Sequence, residues 1–188
     1  GSAWCASLLE RIGSMLLNLV AAPGSLANTV LFAFVVVALS EEGMKYLFLK
    51  RRTWDDPNFN YRFDGIVYAV FVSLGFAAYE NILYVINYGP STALLRAVSA
   101  VPAHMSVSVV LRVLYGRARL LENQGEVAAA KVGRILALLA AVLLHGFYDA
   151  CAMIGTGLSM VVFLVFVVMM FVGVFGLVKL ESATDSPV

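Results

Sequence analysis

Charged residues are scarce in this sequence, and none of them form a long run of one sign. Only 13% of its 188 residues are charged and 61% are hydrophobic, whereas a soluble domain is usually about half apolar and about a quarter charged. The formal net charge is +1, and the sequence has no Lys/Arg-rich run of the kind that forms a nucleic-acid-binding face. The composition therefore excludes an ordinary soluble domain and a nucleic-acid partner, and it predicts a protein that lies in a lipid bilayer.

Cysteine and histidine are also rare, with two residues of each. Cys5 and Cys151 match no CxxC or metal-knuckle spacing, so we interpret them as buried apolar thiols. No signal-peptide pattern follows Gly1-Ser2, which resembles a remnant of an expression vector. The sequence shows no internal repeat, whereas many transporters are built from repeats.

Five apolar runs reach the length of about 20 residues that a membrane-spanning helix needs. They cover approximately residues 26–48, 65–88, 94–115, 135–154 and 158–178. Segment 4–22 differs because Glu10 and Arg11 interrupt it, and we expect an interfacial or re-entrant helix there, with a sixth span as the alternative. The sequence thus predicts an all-α integral membrane protein with a bundle of about five transmembrane helices.

We expect the whole chain, residues 1–188, to form a single membrane-embedded domain. Its parts would be the N-terminal interfacial or re-entrant helix, a transmembrane core over residues 26–178 and a disordered tail over residues 181–188.

The positions of Lys and Arg predict the orientation of the spans. Basic residues cluster in segments 50–62 and 112–134 and recur at Lys179, whereas the loops near 88–92 and 155–157 have none and Arg96 is the exception on that side. Because cytoplasmic loops carry an excess of basic residues, we expect the first two segments and the C-terminus in the cytoplasm.

Seven ionisable residues lie well inside the predicted spans, away from their ends: Glu41, Glu42, Lys45, Glu80, His104, His145 and Asp149. The five that are not histidines would together cost on the order of 15 kcal/mol in a bilayer if they had no partners. At a rise of about 1.5 Å per residue, Glu41, Glu80 and the two histidines lie roughly 14 to 24 Å below the outer ends of their spans. That depth is near the middle of a hydrocarbon core about 30 Å thick, so we expect these side chains to meet at one polar site.

Helical spacing predicts which of these side chains are neighbours. Lys45 is four residues after Glu41 and three after Glu42, so it can pair with either glutamate but hardly with both. Asp149 is four residues after His145 and can orient its ring.

Four short motifs carry these residues: EEGMK at 41–45, FAAYEN at 76–81, PAHMS at 102–106 and HGFYD at 145–149. In this order, on four successive predicted spans, they resemble the motif set of the PrsW family. That family is grouped with the CAAX prenyl endopeptidases in a superfamily of glutamate-dependent membrane proteases. The resemblance covers roughly residues 31–154. It implies an intramembrane protease of the bacterial inner membrane whose substrate is a membrane-anchored protein such as an anti-sigma factor.

The resemblance also implies a role for each motif residue. Glu41 and Glu42 match the paired catalytic glutamates, and His104 and His145 match the catalytic histidines. Lys45 would be the positive partner of the glutamates.

The remaining motif residues would support these groups. Glu80 and Asn81 would hold the hydrogen-bond network together. Asp149 stands where the prenyl endopeptidases carry an asparagine, and an ionised aspartate cannot donate a hydrogen bond to an oxyanion. We therefore expect Asp149 to orient His145 or to bind a metal.

Two mechanisms of peptide hydrolysis are compatible with these residues. In the first, which we favour, Glu41 or Glu42 takes a proton from water while His104 and His145 polarise the water or the scissile carbonyl, and no cofactor is needed. In the second, a single zinc ion activates the water. Its possible ligands are His104, His145, Glu41 and Asp149, although the HExxH pattern of many zinc proteases is absent.

Two other classes of function are also compatible with a polar cluster in the membrane. A proton-coupled transporter places carboxylates and histidines at the midplane, and a non-catalytic scaffold could use them to hold helices together. Cleavage of a membrane-anchored substrate would distinguish a protease from both.

Overall fold

The structure is a computed structural model that describes residues 2–53 and 62–185, and these residues form helices and short connections without strands. The helices are α1 (Ser2–Val20), α2 (Leu26–Leu31), a π-helical segment (Phe32–Ala38), α3 (Leu39–Thr53), α4 (Arg62–Tyr88), α5 (Ser91–Val98), α6 (Ala100–Asn123), α7 (Val127–Ile154) and α8 (Gly157–Ala183). The predicted all-α architecture is confirmed.

Five helical stretches are long and apolar enough to cross a membrane: Leu26–Arg52, Phe63–Tyr88, Ser91–Asn123, Val127–Ile154 and Gly157–Ala183. The five predicted spans are confirmed, and the chain is a multi-pass integral membrane protein. Most of them extend further than predicted at the ends that are rich in Lys and Arg. Apolar runs indicate only the part of a helix that lies in hydrocarbon, whereas the backbone hydrogen bonds continue into the polar region.

Small side chains allow the central helices to pack closely. Ala103 on α6 and Ala137 and Ala141 on α7 are buried in the main hydrophobic core with Tyr115. Without large side chains between them, two backbones can approach, which is how helices associate in lipid. α8 is peripheral, since only 6% of its most apolar window is buried within the protein. Its exposed valines and phenylalanines suit contact with acyl chains.

α1 packs lengthwise against the first span in the opposite direction. Ala3 and Ala6 lie in a buried cluster with Phe76 and Met44, and farther along α1 a Cβ at Gly13 would lie 3.0 Å from Val36. The Asn28 side chain, near the start of that span, donates hydrogen bonds to Asn18 and to the carbonyl of Ala21. These contacts place α1 antiparallel to the first span, and α1 is not among the five stretches that are long and apolar enough to cross a membrane.

Two boundaries differ from the predictions. The third span is not one continuous helix, because the backbone breaks at Ser99 between α5 and α6, and Pro102 lies in the first turn of α6, where proline is tolerated. α8 continues to Ala183, so residues 181–183 of the expected disordered tail are helical. Glu181 is buried there, with its Oε1 3.8 Å from Arg117. Residues 186–188 lie outside the described part of the chain.

Candidate active site

Glu41 and Glu42 lie in the first turn of α3, and Lys45 lies one turn later. All three are buried, with Glu42 at 0% exposure. Lys45 Nζ lies 2.8 Å from Glu42 Oε1 and 3.4 Å from Glu41 Oε2. The prediction that Lys45 would hardly pair with both glutamates is therefore wrong. The two carboxylates approach the ammonium from adjacent positions of one helical turn, and its three N–H groups can serve several acceptors.

His104 on α6 connects Lys45 to α4. Its Nδ1 lies 3.0 Å from Lys45 Nζ, and its Nε2 lies 2.7 Å from Glu80 Oε2. Because an ammonium only donates hydrogen bonds, Nδ1 must accept and Nε2–H must donate to Glu80. Glu80 thus fixes the tautomer of His104, a more specific role than the general support expected for it.

His145 on α7 faces carboxylates on both sides of its ring. Nδ1 lies 2.7 Å from Glu42 Oε1, and Nε2 lies 3.2 Å from Asp149 Oδ2 and 3.8 Å from Glu41 Oε2. The predicted contact between Asp149 and His145 is present. The His145 and His104 rings meet edge to face, with centroids 5.0 Å apart.

Two local features bring α7 close to the first span. The π-helical segment directly precedes α3, and π-helical turns inside helices are frequent at functional sites. Phe34 in that segment fills the space beside Gly146, where a Cβ would lie 2.7 Å from the Cγ of its ring. A glycine next to His145 therefore allows the close approach that places His145 against Glu42.

Four residues form a group that could hold a metal ion: Glu41, Glu42, His104 and His145, with one possible ligand atom of each within 4.8 Å of the others. Two imidazoles and two carboxylates suit zinc. Glu42 Oε2 is buried and has no hydrogen-bond partner among the described residues, so one oxygen of the group is still available. The residue types are those that bind zinc, and the group contains Glu42 where the sequence predicts Asp149 as a possible ligand. Asp149 instead contacts His145 Nε2 at 3.2 Å.

A cavity of about 290 Å³ opens onto the reactive side chains. Glu41, His104 and His145 line it, together with Glu80 and Asp149. Glu42 is not among the lining residues. The cavity extends along α4 and α7 towards the C-terminal ends of both helices, which the distribution of basic residues predicts to be on the outer side.

Two lining residues were not anticipated for the site. Arg96 on α5 bonds to Glu80 at 3.1 Å and to Asn81 at 3.0 Å and stacks on Tyr84. Glu10 on α1 also lines the cavity. Each is a charged residue in or beside an apolar segment, and that signal was in the sequence. In the sequence Arg96 is only an exception to the charge distribution, and Glu10 only interrupts an apolar segment, so the local pattern does not mark either as a site residue.

The fold and the site define a multi-pass membrane protein with a buried centre of carboxylates and imidazoles beside a cavity. The sequence profile of the family described as PrsW family intramembrane metalloprotease matches residues 1–176. The chain belongs to the PrsW family.

Curated relatives support this membership. The chain is 35% identical over 164 residues to a protein named Protease PrsW from Halalkalibacterium halodurans, covering 87% of this chain and 74% of that protein. It is 35% identical over 151 residues to Protease PrsW of Bacillus subtilis, covering 80% and 66% of the two chains. It is 37% identical over 132 residues to Protease PrsW of Geobacillus kaustophilus, covering 69% of this chain and 55% of that protein. The chain thus spans between 55% and 74% of the length of these relatives. No solved structure matches it significantly.

Proposed function

We propose that this chain is an intramembrane endopeptidase that hydrolyses a peptide bond of a membrane-anchored protein through a water activated by Glu41. The observation that carries the proposal is the position of the Glu41 carboxylate. It lines the cavity, and its Oε2 lies 4.0 Å from His104 Nδ1 and 3.8 Å from His145 Nε2. A water beside Glu41 would therefore contact a base and two imidazoles. The names of the relatives, all Protease PrsW, agree with this activity.

The glutamates have different roles in this mechanism. Glu41 takes a proton from the water while the water oxygen attacks the scissile carbonyl carbon. Glu41 then gives this proton to the departing amide nitrogen as the C–N bond breaks. His145 polarises the carbonyl oxygen through its Nε2–H, which lies on the side of Glu41. His104, which accepts from Lys45 and donates to Glu80, positions Lys45 beside the glutamates. Glu42 does not reach the cavity and instead accepts hydrogen bonds from Lys45 and His145, so its role is to position them.

The rival mechanism uses a metal, which the family description and the donor set both favour. Glu41, Glu42, His104 and His145 would hold the ion. A bound divalent ion would supply a water that ionises near neutral pH. In either mechanism Glu80 and Asp149 orient the imidazoles, as outer partners of metal-binding histidines commonly do.

The proposed substrate belongs to the class that the family resemblance implies, a membrane-anchored protein of the anti-sigma-factor kind. The cavity extends towards the C-terminal ends of α4 and α7, where Leu83 and Met153 line it. With basic residues on the cytoplasmic side of a bacterial inner membrane, a substrate would approach from the outer half of the bilayer.

The proposal is tested with Glu41→Gln and Glu42→Gln, assayed on a single-span reporter that the wild type cleaves in liposomes. We expect Glu41→Gln to lower cleavage by at least about 100-fold and to lower the Tm less than Glu42→Gln does, because Glu41 Oε2 lies 3.4 Å from Lys45 Nζ and Glu42 Oε1 lies 2.8 Å from it. Glu42→Gln should lower the Tm, because breaking a buried ion pair costs about 3–5 kcal/mol. Glu126→Gln, at an exposed position, is the control.

Full activity of Glu41→Gln would remove Glu41 as the base. If Glu42→Gln instead lost activity with an unchanged Tm, the two glutamates would have exchanged roles.

A further inference from the structure

The ammonium of Lys45 occupies the centre of the group of possible metal ligands. It contacts three of the four residues, with Nζ 2.8 Å from Glu42 Oε1, 3.0 Å from His104 Nδ1 and 3.4 Å from Glu41 Oε2. The fourth residue, His145, bonds to the same Glu42 oxygen. The group that could hold a divalent cation therefore already surrounds a cation of the chain itself.

A metal ion and this ammonium cannot use the same atoms at the same time. Zinc binds nitrogen and oxygen ligands at about 2.0–2.2 Å through their lone pairs. The lone pair of His104 Nδ1 and one of Glu42 Oε1 accept hydrogen bonds from Lys45. A zinc ion held by these atoms would also repel the adjacent Lys45 ammonium strongly, because the site is buried and has a low dielectric constant.

Lys45 has little space into which to withdraw. Its side chain is 3% exposed, and the Phe76 ring lies 4.3 Å from Nζ. The void beside it measures about 10 Å³ and is lined mainly by apolar groups such as Leu49 and Leu111. A charged ammonium moved there would lose its acceptors, and that loss is costly in an apolar environment.

We propose that Lys45 is the resident cation of this site and that it excludes a divalent metal ion from the Glu41, Glu42, His104 and His145 group. Lys45 is then a positioning residue that holds the two glutamates close together without a metal. This proposal deepens the proposed function, since it makes a water activated by Glu41 the working chemistry of the site in spite of the family description. The consequence of this proposal for catalysis rests on that proposed function, but the experiment below measures metal binding and not proteolysis.

The test measures zinc binding to purified full chains in detergent, using Lys45→Met, which keeps the length of the side chain but removes its charge. We expect Lys45→Met to bind one zinc ion per chain on the order of 100-fold or more tightly than the wild type. The variant leaves the buried carboxylates of Glu41 and Glu42 without a cation, and zinc would replace it. Binding is read by competition with a chromophoric chelator and, with Co²⁺, by its absorption spectrum.

Two further variants locate the ion. Lys50→Met removes an exposed lysine from the same helix and should bind zinc as weakly as the wild type. Adding Glu42→Gln to Lys45→Met removes one ligand and should abolish most of the gain. Tight binding of zinc by the wild type, or no gain in a folded Lys45→Met variant, would overturn the proposal.

A measurement on the wild type covers the case in which Lys45→Met does not fold. Wild-type protein purified without chelator should contain far less than one zinc ion per chain, and EDTA should leave its Tm unchanged. A stoichiometric metal whose removal lowers the Tm would disprove the exclusion. Loss of zinc exclusion with normal Glu41-dependent cleavage would reject this inference alone, whereas zinc exclusion without cleavage would reject only the proposed function.

Discussion

Two carboxylates in the site each bind two partners. Glu42 Oε1 accepts from Lys45 and from His145, and Glu80 Oε2 contacts both His104 and Arg96. In a low-dielectric environment a charged group is stable only when it is paired and hydrogen-bonded. Because one carboxylate oxygen accepts from two donors, these two carboxylates connect side chains from several helices.

The Glu80–Arg96 pair should contribute measurable coupling. A double-mutant cycle of Glu80→Gln and Arg96→Gln should give an interaction energy of about 0.5–3 kcal/mol, because the atoms are 3.1 Å apart and both side chains are largely shielded. The measurement is unfolding in detergent micelles.

The control cycle uses Arg119→Gln and Glu122→Gln on α6, a more exposed pair with a distance of 3.3 Å. That pair should give only about 0–1 kcal/mol. Equal coupling in both cycles would show that burial adds nothing to the Glu80–Arg96 pair.

The helices position the site through close contact as well as through charge. α7 approaches the first span at Gly146, where the Phe34 ring occupies the space that a side chain would need. His145 is the preceding residue, so a shift of α7 at this point changes the distance between His145 and Glu42.

Gly146→Ala should therefore destabilise the protein and reduce its activity together. The added methyl group forces the Phe34 ring or α7 to move, at a cost of about 1–3 kcal/mol. The Tm and the cleavage rate of the reporter are the measurements.

The matched control is Gly173→Ala on α8, where a Cβ would have no atom within 4 Å. It should be neutral or slightly stabilising, since alanine favours a helix by about 1 kcal/mol over glycine. An unchanged Tm and rate for Gly146→Ala would mean that the contact does not set the position of His145.

The molecule as a whole is organised by the bilayer. The surface of its membrane-spanning helices is largely apolar, with α8 almost entirely outside the core, whereas Glu41, Glu42, Lys45 and both histidines are buried. This is the reverse of a soluble domain, since lipid solvates apolar side chains and penalises unpaired charges.

The orientation of the chain is testable with single cysteines in a Cys5→Ala, Cys151→Ala background. Gln124→Cys and Thr156→Cys place a thiol in the exposed connections before and after α7. A membrane-impermeant maleimide should label Thr156→Cys in intact spheroplasts and Gln124→Cys only after lysis. The opposite pattern would invert the topology and move the cavity mouth to the cytoplasmic side.

The sequence was sufficient to predict the spans and most of the ionisable residues that lie together in the buried polar cluster. A helix in lipid satisfies its own backbone, so its existence depends on a local run of apolar residues. A charged residue in such a run must find a partner, so Glu41, Glu80 and Asp149 were recognisable without coordinates.

The partners themselves depended on the tertiary structure. Lys45 meets His104 from 59 residues away, and His145 meets Glu42 from 103 residues away. Helical spacing predicted contacts within one helix, such as His145 with Asp149, but it could not predict that Lys45 would serve both glutamates and His104. Nor could it place Arg96 and Glu10 at the cavity, because those positions follow from how α5 and α1 pack against other helices.

The amino-acid order alone thus determined that this chain enters a membrane and which of its polar groups must be buried there, because hydropathy and helical periodicity act over a few turns. The packing of the helices determined which glutamate faces the cavity and which cation lies between the carboxylates. Those choices depend on distances of a few ångströms between residues that are far apart in the chain, and no local pattern records them.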